Sequence, residues 1–69
     1  MQYYLYGYQS GEANGGADAE CSADTLKDAK AQAKYMLTDA YRRASEASEC
    51  IKYVQVWRGT DIVYDIFHS

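Results

Sequence analysis

The residues that could carry catalysis are few, and their spacing matches no catalytic pattern. His68 is the only histidine and lies one residue from the end of the 69-residue chain, where we expect a frayed, solvent-exposed terminus. An imidazole there has no second group to hold it as a general base. No Ser, Cys or Asp lies in a nucleophile-elbow or redox-pair sequence, and Asp24 and Asp28 fit a solvated helix cap. The sequence therefore predicts a protein that is not an enzyme.

The cysteines and glycines indicate no cofactor site. Cys21, Cys50 and a single histidine have no metal-ligand spacing. Gly11, Gly15 and Gly16 follow a predicted strand but lack the Lys-Ser/Thr pair of a phosphate-binding loop. A continuous helix of about 20 residues between the two cysteines would separate them by roughly 30 Å, too far for a disulfide. We therefore expect no cofactor and two free thiols, as in a reducing cytoplasm.

Charge divides the first third of the chain from the rest. The net charge is −3, which argues against a general nucleic-acid binder. Residues 1–26 contain four acidic residues and no Lys or Arg, whereas residues 27–69 contain seven basic and six acidic residues. The four acidic residues are Glu12, Asp18, Glu20 and Asp24. They are candidates for binding a basic partner surface, such as a nucleic-acid channel.

Hydrophobic patterning predicts one strand, one long helix and a hairpin. The strand covers about residues 2–9 and is followed by an exposed loop at 10–24. The helix, capped by Thr25, covers about residues 25–47. The two hairpin strands cover about residues 51–57 and 62–67. No apolar run reaches the length of a membrane span, and no signal peptide is recognisable.

This order predicts a single domain over residues 1–69 with an α+β fold, β-α-β-β, in which one long helix packs on one face of a three-stranded antiparallel sheet. At 100° per residue the buried side of the helix comprises Leu26, Ala29, Ala33, Met36, Leu37, Ala40, Ala44 and Ala47. The hairpin residues expected beneath it are Val54, Val56, Ile62, Tyr64 and Ile66. The first strand would pair antiparallel with the last strand or, alternatively, parallel with the strand at 51–57.

The opposite face of the sheet is predicted to be aromatic. Its hairpin residues are Tyr53, Gln55, Trp57, Val63, Asp65 and Phe67. Exposed aromatic patches usually mark an interface, so Tyr53, Trp57 and Phe67 are candidate partner-binding residues together with the four acidic residues. Alternatively, the loop at 10–24 folds over this face as a lid.

Lys27, Lys30 and Lys34 form a basic flank beside the apolar stripe of the helix. Ordinary solvation explains such a flank. A second functional reading is a small homodimeric regulator, paired through the aromatic sheet face, that uses this lysine flank on DNA. A third is a minor phage assembly protein.

Three features of the chain carry a resemblance to a known group of proteins. They are an aromatic first strand, the helix start Thr-Leu-x-x-Ala-Lys-x-x-Ala from Thr25 to Ala33, and a hairpin with Trp-Arg-Gly at its turn. In these features the chain resembles the small phage-encoded anti-CRISPR proteins, particularly those that act on type I systems. That family is defined by function, so it transfers no binding residue by position.

The resemblance implies a stoichiometric inhibitor without a cofactor. Such a protein would act in the host bacterial cytoplasm and evade host defence by binding subunits of a type I CRISPR surveillance complex (Cascade) or its nuclease. It would block target DNA recognition or cleavage, and we expect no specific nucleic-acid contact and no membrane association of its own.

Overall fold

The computed structural model describes residues 2–68, which form four strands and two helices. In chain order they are β1 (Tyr3–Tyr8), β2 (Ala19–Ala23), α1 (Leu26–Met36), α2 (Asp39–Ala44), β3 (Tyr53–Arg58) and β4 (Asp61–Phe67). The strands form one antiparallel sheet in the order β2-β1-β3-β4. Helix α1 packs against the sheet, and α2 packs against α1. The α+β class with an antiparallel sheet is confirmed, whereas the predicted three strands and single long helix over 25–47 are wrong.

The additional strand, β2, lies within the segment predicted to be a loop at 10–24. Its residues Ala19, Cys21 and Ala23 pack against the buried core on the helix side of the sheet. Small and polar residues are poor strand formers, so propensity alone does not reveal this strand. Its small side chains let α1 approach closely, and its pairing with β1 widens the sheet.

The strand order also differs from both predicted alternatives. β1 lies beside β3 and antiparallel to it, neither beside β4 nor parallel. The reason is β2, which returns the chain to the end of the sheet where β1 begins. The helices then carry the chain back along the sheet, so β3 runs opposite to β1.

The predicted long helix is interrupted at Leu37 and Thr38. Thr38 is extended, with φ −92° and ψ 157°, and its hydroxyl accepts a hydrogen bond from the backbone N–H of Tyr41 at 3.2 Å. The same hydroxyl donates to the carbonyl of Tyr35 at 2.7 Å, which satisfies an end group of α1. Thr38 is therefore the N-cap of a new helix, and the apolar phase of α1 does not continue into α2.

The buried side of the helix agrees with the prediction only before this break. Ala29, Ala33 and Met36 are fully buried in the described structure. Ala40 and Ala44, which keep the predicted 100° period, are exposed in α2. Thr25 caps α1 as expected, accepting a hydrogen bond from the backbone N–H of Asp28 at 3.1 Å.

The core lies between α1 and one face of the sheet. Its fully buried strand side chains are Leu5, Val54 and Val56. Gly7 lets a second segment approach here, because a Cβ at Gly7 would lie 3.0 Å from Cγ2 of Ile51 and 3.1 Å from Cε of Met36. The missing side chain at Gly7 therefore makes room for Ile51 and Met36.

The β3–β4 hairpin contains one irregularity that moves a side chain. Val56 lies opposite Tyr64, but Trp57 lies opposite Ile62, which leaves Val63 as an extra residue in β4. Ile62 therefore shares the side of Trp57 and is 48% exposed. The prediction that Ile62 lies beneath the helix is wrong because a bulge changes the alternation. The turn itself is tight, with Gly59 at a left-handed φ of +63°.

Candidate protein-binding face

The sheet side opposite the helices, called here the open face, is formed by alternate strand residues. The register arranges them in three cross-strand rows, Tyr8–Tyr53–Phe67, Glu20–Tyr6–Gln55–Asp65 and Ser22–Tyr4–Trp57–Ile62. These rows contain aromatic residues and two acidic residues, and no Lys or Arg of the described chain belongs to them. The predicted binding residues Tyr53, Trp57 and Phe67 thus share one face, while their role in binding remains a prediction.

Stacked rings form the first row. The ring centroids of Tyr8 and Tyr53 lie 6.0 Å apart, and those of Tyr53 and Phe67 lie 4.2 Å apart with an interplanar angle of 18°. Tyr8 and Tyr53 are buried, whereas Phe67 is 59% exposed. Because one side of the Phe67 ring packs on Tyr53, the other side is accessible to a partner.

A chain of hydrogen bonds runs across the open face. Trp57 Nε1 donates to Gln55 Oε1 at 3.1 Å, and Gln55 Nε2 donates to the Tyr53 hydroxyl at 3.1 Å. The Tyr53 hydroxyl donates to Asp65 Oδ2 at 2.9 Å. Burial, opposed by the hydrogen bond from Gln55 and aided by the Asp65 carboxylate, raises the pKa of Tyr53, so the phenol remains a donor. This chain fixes the Asp65 carboxylate.

Asp65 and Gln55 are not among the sequence-predicted binding residues. Strand alternation in the hairpin places both on the face of Tyr53, and that is the signal that could have included them. The hydrogen bonds that join them have no sequence signal, because they depend on the register and the bulge.

The four predicted acidic residues are exposed but do not form one cluster. Glu20 belongs to the middle row of the open face. Asp18 and Asp24 lie just before and just after β2, about 20 Å apart at roughly 3.3 Å per residue. Asp18 Oδ2 accepts a hydrogen bond from the backbone N–H of Gln9 at 2.7 Å, and Glu12 accepts one from its loop neighbour. Only Glu20 is therefore positioned directly on the open face.

The lysine flank lies on the helix side of the sheet. Lys27, Lys30 and Lys34 are all exposed on α1, and Lys30 Nζ lies 5.2 Å from the ring centroid of Tyr64, a cation–π distance. In α2, Arg42 and Arg43 pair with Asp39 at 2.7 and 2.8 Å. The basic helical side and the open face therefore oppose each other across the sheet.

Both cysteines are free thiols near α2. Cys21 Sγ lies 3.8 Å from the Tyr41 hydroxyl, and Cys50 Sγ lies 4.0 Å from Asp39 Oδ1. The expectation that a continuous helix separates the two cysteines by about 30 Å is wrong, because the helix is interrupted at Thr38 and the chain folds back. Within residues 2–68 no three His, Cys, Asp or Glu side chains are grouped as metal ligands would be.

One groove of about 410 Å³ lies beside α2, lined by residues that include Tyr41, Arg42, Glu49 and Asp18. Its mixed charges select no ligand class. Across the described residues, 2–68, no helix is long and apolar enough to cross a membrane. Comparison of the chain with protein-family models, curated proteins and solved structures finds no match.

Proposed function

We propose that this protein is a non-catalytic inhibitor that binds another protein through its open face. The observation that carries this proposal is an aromatic surface that neither helix covers, with carboxylates at both ends of its middle row. Phe67 and Tyr4 are 59% and 46% exposed there. Aromatic side chains at an interface centre supply much of the binding free energy, and carboxylates favour a basic partner.

A nucleic-acid-binding surface is the class of partner that fits this face by charge. Such surfaces are basic because they neutralise phosphates. Together with the resemblance to anti-CRISPR proteins, this favours a type I CRISPR surveillance complex (Cascade) or its nuclease as the target. In this proposal a phage produces the protein in the host bacterial cytoplasm, where it evades host defence by blocking DNA recognition or cleavage. It uses no cofactor and makes no specific nucleic-acid contact.

The test is binding kinetics on a captured type I surveillance complex and on its nuclease, with target DNA binding and cleavage measured in parallel. We expect Phe67→Ala to speed dissociation roughly thirtyfold, since an interface anchor contributes about 2 kcal/mol. Tyr35→Ala is the matched control, because Tyr35 is an exposed aromatic residue of α1 on the helix side. A wild-type protein that binds neither target would refute this assignment, and equal effects of the two variants would refute the open face as the contact.

The acidic residues should act on association. A variant that combines Glu12→Gln, Asp18→Asn, Glu20→Gln and Asp24→Asn should associate more slowly and lose salt dependence, because exposed charges steer encounter. Because the four carboxylates are exposed and do not form one cluster, we expect little change in dissociation. If this variant associates at the wild-type rate at both of two ionic strengths, binding to a basic channel is contradicted.

The lysine flank supports a second candidate, a homodimeric DNA-binding regulator. Lys27, Lys30 and Lys34 are exposed and form no ion pair with any described residue. A dimer joined through two open faces would direct both lysine flanks outward. Salt-sensitive duplex binding, lost when the three lysines are replaced by Gln, together with a dimer in sedimentation experiments, would favour this candidate over the inhibitor.

A further inference from the structure

We propose that the open face recognises arginine side chains of its protein partner, with a guanidinium stacked on Phe67 and paired with Asp65. This inference rests on the proposed use of the open face as a protein-binding surface. It specifies the partner chemistry as arginine rather than basic charge in general.

The first argument is the placement of Asp65 and Phe67. They are alternate residues of β4 on the same face, so their Cα atoms lie about 7 Å apart. The Phe67 ring is held against Tyr53 at 4.2 Å and is 59% exposed, so it offers a free ring face beside a carboxylate. A planar cation can lie on this ring and direct its N–H groups toward Asp65.

The second argument is that the carboxylate is already oriented. Asp65 Oδ2 accepts the Tyr53 hydroxyl at 2.9 Å, and Tyr53 is fixed in turn by Gln55 and Trp57. Asp65 Oδ1 makes no hydrogen bond to any residue within 2–68. One carboxylate oxygen thus holds the side chain in place while the other is free for a partner.

The third argument selects arginine over lysine. Guanidinium is planar, weakly hydrated and able to stack on a ring while it donates to a carboxylate, whereas ammonium is a compact and strongly hydrated charge. Glu20 and Tyr6 repeat the pairing of carboxylate and aromatic ring at the other end of the middle row. Three strand spacings of about 4.8 Å separate Glu20 from Asp65, roughly 14 Å, so the face has room for two arginines.

The absence of Lys and Arg from the three rows argues against a nucleic-acid occupant. Exposed aromatic rings on a sheet can stack bases, but phosphates require basic neighbours. Glu20 and Asp65 would instead repel them. The charge complement of this face is a cationic side chain.

The experiment titrates the purified protein with octa-arginine and octa-lysine peptides. Trp57 is the only tryptophan and is joined to Asp65 through the hydrogen-bond chain, so its fluorescence reports binding. We expect octa-arginine to bind at least fivefold more tightly than octa-lysine. Asp65→Asn keeps an oxygen that accepts the Tyr53 hydroxyl but removes the charge, and should weaken octa-arginine binding about tenfold.

Two further variants separate stacking and specific pairing from net charge. Phe67→Leu keeps an apolar side chain and should reduce the preference for arginine over lysine to less than twofold. Asp61→Asn removes an exposed carboxylate of the same strand at the hairpin turn and should change octa-arginine binding less than twofold. Equal binding of the two peptides, or equal effects of Asp65→Asn and Asp61→Asn, would overturn the inference. Binding of oligo-dT on the open face would also overturn it.

The outcome is distinguishable from that of the proposed function. If the wild-type protein binds the surveillance complex and Asp65→Asn binds it equally well, the arginine site is wrong and the inhibitor proposal stands. If octa-arginine is preferred and Asp65→Asn removes the preference, the arginine site is supported even when the surveillance complex and nuclease do not bind.

Discussion

The two faces of the sheet bury neighbouring residues of β3 by different means. Val54 and Val56 are fully buried beneath α1, against Ala29 and Ala33. Tyr53 and Gln55, on the other face, are only 7% and 8% exposed although neither helix packs there. The helix side excludes water with an apolar layer. The open face shields its residues with stacked rings and a chain of hydrogen bonds.

This difference shows how a short chain can keep an exposed sheet face ordered without a second layer of secondary structure. Within residues 2–68 no buried side-chain nitrogen or oxygen lacks a hydrogen-bond partner, so the buried polar groups of the open face are satisfied before any partner binds. A surface fixed in this way loses less conformational entropy on binding. In the proposed function, stability and recognition therefore depend on opposite faces of the same strands.

The largest expected effect comes from introducing a charge on the helix side. Ala33→Asp would bury an unpaired carboxylate at a fully buried position, which costs several kcal/mol. A domain of this size has a total stability of about 5 kcal/mol, so we expect it to unfold. Ala31→Asp, on the exposed side of the same helix, should cost only about 0.7 kcal/mol. Urea titration followed by circular dichroism measures both, and equal tolerance would mean that the helix side is not the stabilising face.

A single methyl group at Gly7 tests how closely that face is packed. Gly7→Ala would place a Cβ 3.0 Å from Ile51 Cγ2 and 3.1 Å from Met36 Cε. Overpacking of this kind costs about 1–3 kcal/mol, partly offset by the reduced entropy of the unfolded chain. Thermal melts should show Gly7→Ala destabilised by about 1–2 kcal/mol. Gly16→Ala, where an added Cβ would meet no atom within 4 Å, is the control and should melt at or slightly above the temperature of the wild type.

Gly7 also illustrates which parts of the fold can be predicted from the sequence. Large apolar side chains with clear alternation predict β1 and the β3–β4 hairpin, and a gap in that alternation predicts the close approach at Gly7. β2 could not be predicted in this way, because Ala19, Cys21 and Ala23 are small and form a strand only when paired with β1. The four-stranded order depends on that strand.

The helix break has a different cause. Ala40 and Ala44 continue the apolar period, and periodicity alone cannot show that the chain stops being helical between two alanine-rich turns. The local signal is Thr38 followed by Asp39, an N-cap residue and an acidic first turn. A capping residue within a predicted helix can therefore indicate that the helix ends there, even where the apolar period continues.

The candidate site was only partly predictable, because some of its residues come together only through β2 and through the pairing of strands. Alternation places Tyr53, Trp57 and Phe67 on one face, because that requires only the hairpin. Glu20 joins them through β2, and the contact of Asp65 with Tyr53 depends on pairing between strands.

Alkaline pH should weaken the helix side through Tyr41. Burial, aided by the hydrogen bond with Cys21, raises the pKa of Tyr41 to about 12, against about 10 in an unfolded chain. The stabilisation is therefore complete below pH 10 and is lost as the pH rises toward 12. When the pH rises from 9 to 11, the free energy of unfolding should fall by about 1 kcal/mol less in Tyr41→Phe than in the wild type.

Urea titrations at the two pH values measure this difference. Tyr4→Phe, which removes an exposed hydroxyl from the open face, is the matched control and should keep the wild-type pH dependence. If Tyr41→Phe keeps the pH dependence of the wild type, the Tyr41 hydroxyl of the wild type is solvated in the folded protein.

The smallest expected effect tests whether the open face needs its hydrogen bonds. Tyr53→Phe keeps the stacked ring but leaves Gln55 Nε2 and Asp65 Oδ2 without the hydroxyl that joins them, and should cost about 0.5–1 kcal/mol. Tyr8→Phe is the matched control, because Tyr8 lies in the same stack and its hydroxyl makes no hydrogen bond within residues 2–68. Paired urea titrations should separate the two variants. If both are as stable as the wild type, the rings alone shield this face, and the hydrogen bonds serve to orient Asp65 for a partner.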